Sequence, residues 1–153
     1  LLKHICYEKK ISLGWFRIFF VYGEGQRKNS LIPYILRSLK KGKTPKIFNI
    51  NEENDYIHVD DVSSLFMRII KTKFKSDIYD LGSGKLTSVH KILNIIRKKM
   101  ILDKLKIQNK KNYKKSFKKK LKANTIKVLK TFNWSTKLNI SEGIEKIFYN
   151  QKK

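Results

Sequence analysis

Three times along this 153-residue chain an apolar stretch of strand character ends in a turn and is followed by residues spaced as one face of a helix. "WFRIFFVYG" (15–23) leads to apolar residues at 31, 32, 35, 36 and 39. "DYIHV" (55–59) leads to Val62, Leu65, Phe66, Ile69 and Ile70, and "DIYDLGSG" (77–84) leads to Val89, Ile92, Leu93 and Ile96. A period near 2 giving way to one near 3.6 is the pattern of a strand followed by a helix laid on its sheet. Its repetition predicts an α/β layer arrangement. The first stretch has little polar alternation, which predicts a strand buried on both faces. Punctuation agrees with the cycle: Pro33 fits a first helical turn, Gly42 a left-handed C′ position, and Thr87 or Ser88 an N-cap. A helix over residues 1–9, a short strand within "KTPKIFNINEEN", a short helix on Ile126, Leu129 and Phe132 and a last helix from Ser141 complete the expected elements.

A chain of this length supports one modest core. Lys and Arg number 36 against 12 Asp and Glu, a net charge of +24 that attracts polyanions whatever the fold. A basic nucleic-acid binder is therefore one open reading, and "KNYKKSFKKKLK" (111–122), with Tyr113 and Phe117 among lysines, is the stretch that could stack bases and hold phosphates. The same run also fits a solvated loop. One cysteine, Cys6, excludes an internal disulfide and fits a reducing, cytoplasmic setting. Apolar runs are short and broken by residues such as Arg17, so no membrane-spanning helix is expected.

Four segments together, "FRIFFVYGEGQ", "LIPYILRSLKKGKTPKIFNINEENDYIHVDDV", "DIYDLGSGKLTSVHKIL" and "LKANTIKVLKTFNWSTKLNISEGIEKI", resemble in order and spacing the carboxyl half of the NAD-dependent epimerase/dehydratase family. These are extended short-chain dehydrogenases acting on nucleotide-activated sugars, among them sugars for cell-surface polysaccharides. The resemblance implies the carboxyl-terminal part of a Rossmann-like NAD(P)-binding fold plus a small α/β substrate-binding domain. Residues 1–28 would end the Rossmann core and 29–153 form mostly the substrate lobe, with 55–70 and 77–84 returning to the core.

The family's Gly-x-x-Gly-x-x-Gly turn and Tyr-x-x-x-Lys pair are not found in their expected places. "GSGK" (82–85) has Tyr79 where a P-loop needs its first glycine, and Tyr149 with Lys153 match the catalytic spacing only at the chain's end. The chain thus reads as the later part of something longer, inactive alone, with residues 1–9 as the tail of the helix that would carry the catalytic pair; a nonfunctional gene fragment is the other open reading beside the nucleic-acid binder. That tail is also the only part expected to contribute to a family-type homodimer.

The resemblance further implies site roles. Ile18 and Phe19 are expected beside the nicotinamide of NAD or NADP. Phe20 stands where many relatives have an asparagine that hydrogen-bonds the substrate, which phenylalanine cannot do. The backbone of Leu31 and Ile32 is expected along the nucleotide, and Ile47 and Phe48 near its base, although Phe48 could equally be a core aromatic. Asn49 and Asn51 replace glycines, and asparagine tolerates the positive φ such a turn would need. Asn54 replaces an arginine whose fork would hold the diphosphate.

One cluster asks for a separate reading. Asp55, His58, Asp60 and Asp61 fall within seven positions of an acid-poor chain. Metal binding and acid/base chemistry are both conceivable there, but only His58 and Asp60 share a strand face and no second histidine is near. A strand-to-helix joint, with the aspartates accepting backbone N–H groups at the start of the helix, is the favoured expectation.

Overall fold

A computed structural model describes residues 1–100, 108–109 and 120–150. Most of the lysine-rich run, including Tyr113 and Phe117, lies outside the described residues, as does Lys153. The elements are α1 (Leu2–Glu8), β1 (Gly14–Ile18), β2 (Phe20–Tyr22), α2 (Leu31–Lys40), β3 (Lys46–Ile47), β4 (Glu53–His58), α3 (Val59–Ile70), β5 (Asp77–Leu81), β6 (Leu86–Ser88), α4 (Val89–Lys99), β7 (Gln108–Asn109), α5 (Ile126–Phe132) and α6 (Ile140–Asn150).

The stretch 14–22 changes partner halfway along. Its first part, β1, runs parallel to β5 with Gly14 opposite Asp77 and Ile18 opposite Leu81, and the Phe19 N–H still donates to the Leu81 carbonyl. From Phe20 onward, β2 runs parallel to β4, with Phe20 opposite Tyr56 and Tyr22 opposite His58. β4 in turn pairs antiparallel with β6, and β3 pairs parallel with β7. The switch places residues 18–20 where two sheets diverge.

Two apolar cores lie on either side of this junction. One gathers Tyr22, the inner faces of α2 and α4, Ile47, and Ile144 and Ile147 of α6. The other gathers Ile57, Leu65, Tyr79, Leu81, Val128, Phe132 and Trp134, with Phe16 stacked on Tyr79 at 5.2 Å. Ile57 enters one core while Tyr56 packs on the other, as the alternation of a strand demands.

Helix ends follow local rules. Ser88 caps α4 through its hydroxyl, which accepts from the Lys91 N–H at 3.1 Å. α2 ends in a Schellman arrangement: Gly42, at φ 65°, donates to the Leu39 carbonyl and Lys43 donates to that of Ser38. Asn139 accepts from the Ser141 and Glu142 N–H groups, and the Glu142 carboxylate accepts from the Asn139 N–H, a capping box at the start of α6.

Several expectations are corrected. The 15–23 stretch is not buried on both faces, because Trp15, Ile18 and Phe20 are exposed and the only described strand beside β1 is β5. α5 buries Val128 and Phe132 and exposes Ile126 and Leu129, so of the expected face Phe132 alone is buried. Asn49 and Asn51 do not adopt positive φ. Instead the Asn49 side chain accepts from the Asn51 N–H at 3.1 Å, so an Asx turn does what glycine was expected to do. Among the described residues, no helix is long and apolar enough to cross a membrane.

Candidate functional site

The acidic stretch is a joint built from hydrogen bonds. Asp55 has no solvent exposure and is fully engaged. Its Oδ1 accepts from the Ser83 N–H (2.7 Å) and hydroxyl (2.6 Å), and its Oδ2 accepts from the Gly84 N–H (2.9 Å) and the Ala123 N–H (3.0 Å). One carboxylate thereby ties β4 to the turn after β5 and to the segment before α5. Gly82 has to lack a side chain here, since a Cβ would lie 2.8 Å from Asp55 Oδ2 and 2.6 Å from Ala123 Cβ. Asp61 makes a second tie, accepting from the Lys137 and Leu138 N–H groups at 3.0 and 3.1 Å.

The N-cap of α3 is His58 rather than an aspartate. Its Nδ1 accepts from the Asp60 N–H at 3.2 Å, which fixes that nitrogen as unprotonated in the neutral ring. At 2% exposure, burial pushes the His58 pKa down against the opposing pull of Asp60. Asp60 itself bonds to Lys146 of α6, and this ion pair, more than any other influence, holds its carboxyl below the ordinary value. The Tyr22 phenol lies edge-on to His58 at 5.2 Å and is pushed up by burial, then by Asp61 and Glu142.

Space for a ligand lies on the face of β4 opposite Asp55, the face that carries Asn54 and Tyr56. A cleft of about 790 Å³ opens between β2, the start of α2, the β3 segment and β4, a volume in the range of small-molecule sites. Phe20, Leu31, Ile47, Phe48 and Asn54, five of the residues expected to meet substrate, all line it. The Ile32 side chain is 1% exposed inside the first core, in the buried stripe of α2 with Ile35, Leu36 and Leu39, a placement compatible with the backbone contact expected of this stretch. Phe48 is 58% exposed on the cleft wall, which overturns its alternative role as a core aromatic.

Gln26, Asn29, Tyr34, Lys46, Glu52 and Tyr56 also line the cleft and were not foreseen. Two of them were legible: Tyr56 alternates with Asn54 on one face of β4, and Tyr34 lies one turn beyond Leu31. Asn54 Nδ2 donates to Glu52 at 3.5 Å. Burial raises the Tyr56 phenol's pKa, with Asn54 opposing and Glu52 reinforcing, so the phenol stays a hydrogen-bond donor at neutral pH. Among the described residues, Lys46 and Glu52 are the charged side chains on the wall.

A second cleft of about 610 Å³ is lined by Arg17, Ile18, Phe19, Phe20, Asp80, Leu121 and Lys122. Arg17 Nε bonds to Asp80 Oδ1 at 2.6 Å across the β1–β5 pair. The residues expected beside a cofactor are thus gathered in one cleft, five of the six expected beside a substrate in another, and Phe20 belongs to both. Tyr149 is exposed near the end of α6 and lines neither cleft.

The parallel strands and flanking helices match Rossmann-like α/β structures. The UDP-glucose 4-epimerase of Thermotoga maritima, solved with UDP-glucose, superposes with a TM-score of 0.82 at 19% identity, over 99% of this chain and 50% of that one. Residues 1–82 match the model of the NAD-dependent epimerase/dehydratase family, and the chain belongs to that family. Its curated relatives include the CDP-abequose synthase of Salmonella muenchen, 31% identical over 54% of this chain and 29% of the relative. The dTDP-4-dehydro-6-deoxyglucose reductase of Escherichia coli is 33% identical over 60% of this chain and 29% of the relative. The chain therefore spans about half of the solved structure and under a third of these relatives.

Proposed function

We propose that this chain provides the sugar-nucleotide cleft of an NAD(P)-dependent epimerase, dehydratase or 4-keto reductase, together with one wall of the nicotinamide site. The observation that carries the reading is the convergence of Phe20, Leu31, Ile47, Phe48 and Asn54, distant in sequence, on one cleft of suitable volume. In this reading Phe48 lies on the face of the base, and the Asn29, Asn54 and Tyr56 side chains meet hydroxyl and phosphate oxygens. Ile18 and Phe19 form an apolar surface against the nicotinamide, in a cytoplasmic protein. Bound NAD(P) would accept a hydride from the sugar or, in its reduced form, deliver one to it; the residues here hold the sugar and keep water from its reacting carbon.

The substrate is a nucleotide sugar in the manner of the relatives, whose names include CDP-abequose synthase and a 4-dehydro-6-deoxyglucose reductase. The 153 residues contain no Gly-x-x-Gly-x-x-Gly turn, so the chain by itself is expected to bind the sugar nucleotide without converting it. Calorimetric titration with UDP-, dTDP-, CDP- and GDP-hexoses tests this. At least one should bind, and Phe48→Ala should weaken it about tenfold while leaving the melting temperature unchanged. Absence of binding to all four, or turnover by the chain alone with NAD(P), would contradict the proposal.

A further inference from the structure

We infer that Tyr34 is a positioning residue of the cleft, its phenol holding β3 so that Phe48 keeps the place where a ligand meets it. This deepens the nucleotide-sugar reading above and rests on it. Tyr34 lies on α2, one turn beyond Leu31, and its ring packs against the first core. The phenol accepts from the Lys46 N–H at 2.9 Å and donates to the Lys46 carbonyl at 3.4 Å. Those two groups point to one edge of a strand, where a neighbouring strand would ordinarily engage both. β3 is two residues long and paired with β7, so the phenol supplies at Lys46 a tie that a further strand would otherwise give.

The position of Phe48 depends on this tie. Alternation buries Ile47 in the first core at 6% exposure and turns Lys46 and Phe48 outward on the cleft wall. Past Phe48 the chain is held again by the Asn49 side chain, which closes the turn to Asn51, and by the His90 N–H, which donates to the Ile50 carbonyl at 2.8 Å. Lys46 is exposed, so water can take over its two backbone groups when the hydroxyl is removed, and the fold loses little. What goes is the fixed approach of Phe48. A wall that wanders in the free chain has to be ordered by the ligand, and that cost subtracts from affinity, on the order of fivefold.

The test compares Tyr34→Phe, which keeps the ring and deletes the hydroxyl, with Phe48→Ala and with the double variant. Each is titrated with the one of UDP-, dTDP-, CDP- and GDP-glucose that the unsubstituted chain binds best. Tyr34→Phe should weaken binding about fivefold, with a melting temperature within about 3 °C of the unsubstituted chain. The double variant should bind no worse than Phe48→Ala, because without that ring the phenol has nothing left to position. In the absence of ligand, amide hydrogen exchange should quicken at residues 46–48 of Tyr34→Phe and stay unchanged in α2 and α4. Unchanged affinity, losses that multiply in the double variant, or unmoved exchange at residues 46–48 overturns the role of Tyr34 and leaves the nucleotide-sugar reading standing. Failure of the unsubstituted chain to bind any of the four overturns that reading and this inference together.

Discussion

Replacing Asp55 by alanine should cost this fold about 4 kcal/mol. Four donors aim at the carboxylate, and their fates differ once it is gone. The Ser83 hydroxyl also reaches the Lys85 carbonyl at 3.3 Å and can turn to it, so its loss is small. The Ser83 and Gly84 N–H groups lie in a half-buried turn where water can enter, which limits each to about 1 kcal/mol. The Ala123 N–H is fully enclosed, in a residue 3% exposed, and leaving it without an acceptor costs about 2 kcal/mol. The sum is a large share of a typical stability of about 5–15 kcal/mol. Asp55→Asn should lose about half as much: one oxygen still accepts, but the amide then turns a donor toward the Gly84 and Ala123 donors. Urea unfolding followed by circular dichroism, with a slope of about 2 kcal/mol per M, should move the Asp55→Ala midpoint down by about 2 M. Folded Asp55→Asn should bind nucleotide sugar as the unsubstituted chain does, since Asp55 does not line the cleft. A loss below about 1 kcal/mol for the alanine variant, or impaired binding by a stably folded Asp55→Asn, would refute the assignment of Asp55 as a joint.

Stability should decline as pH falls below about 6.5, because the unfolded chain protonates His58 there while burial keeps the folded ring neutral to lower pH. His58→Asn keeps a capping acceptor and should flatten the urea midpoint between pH 7.5 and 5.5; an unchanged slope would assign the effect elsewhere. Gly143→Ala would put a Cβ 2.1 Å from the Tyr22 hydroxyl oxygen, so the melting temperature should fall by about 5 °C or more, and Tyr22→Phe in the same chain should recover part of it. Asn54→Arg should tighten nucleotide-sugar binding about tenfold by giving the diphosphate a bidentate partner on the cleft wall, with the gain shrinking in salt.

What the sequence disclosed and withheld divides along physical lines. Local signals were readable: the stripe of α2, the Ser88 cap and the Gly42 terminus each depend on residues within a turn of one another. So was the shared face of Phe20, Phe48 and Asn54, though only through the family pattern. Features that depend on distant partners were not. Nothing local to Asp55 says that donors 28 and 68 positions later will converge on it. His58 gave no sign of taking the cap that two following aspartates seemed to claim, since that choice depends on Lys146 and on the Lys137–Leu138 backbone engaging those carboxylates from far along the chain. Apolar content likewise mispredicted the burial of Trp15, Ile18 and Phe20. Composition reports that a face can be covered, and not which neighbour covers it.

The central claim, that the cleft around Phe20, Phe48 and Asn54 receives a nucleotide sugar, is tested most directly by amide chemical-shift mapping of the labelled chain during titration with the nucleotide sugar that binds best. Saturable shifts concentrated at residues 20–21, 29–34, 46–49 and 52–56, with His58, Asp61 and α3 nearly unmoved, are the expected result. Shifts centred on the His58–Asp61 stretch, or scattered along lysines and abolished by salt, would contradict it.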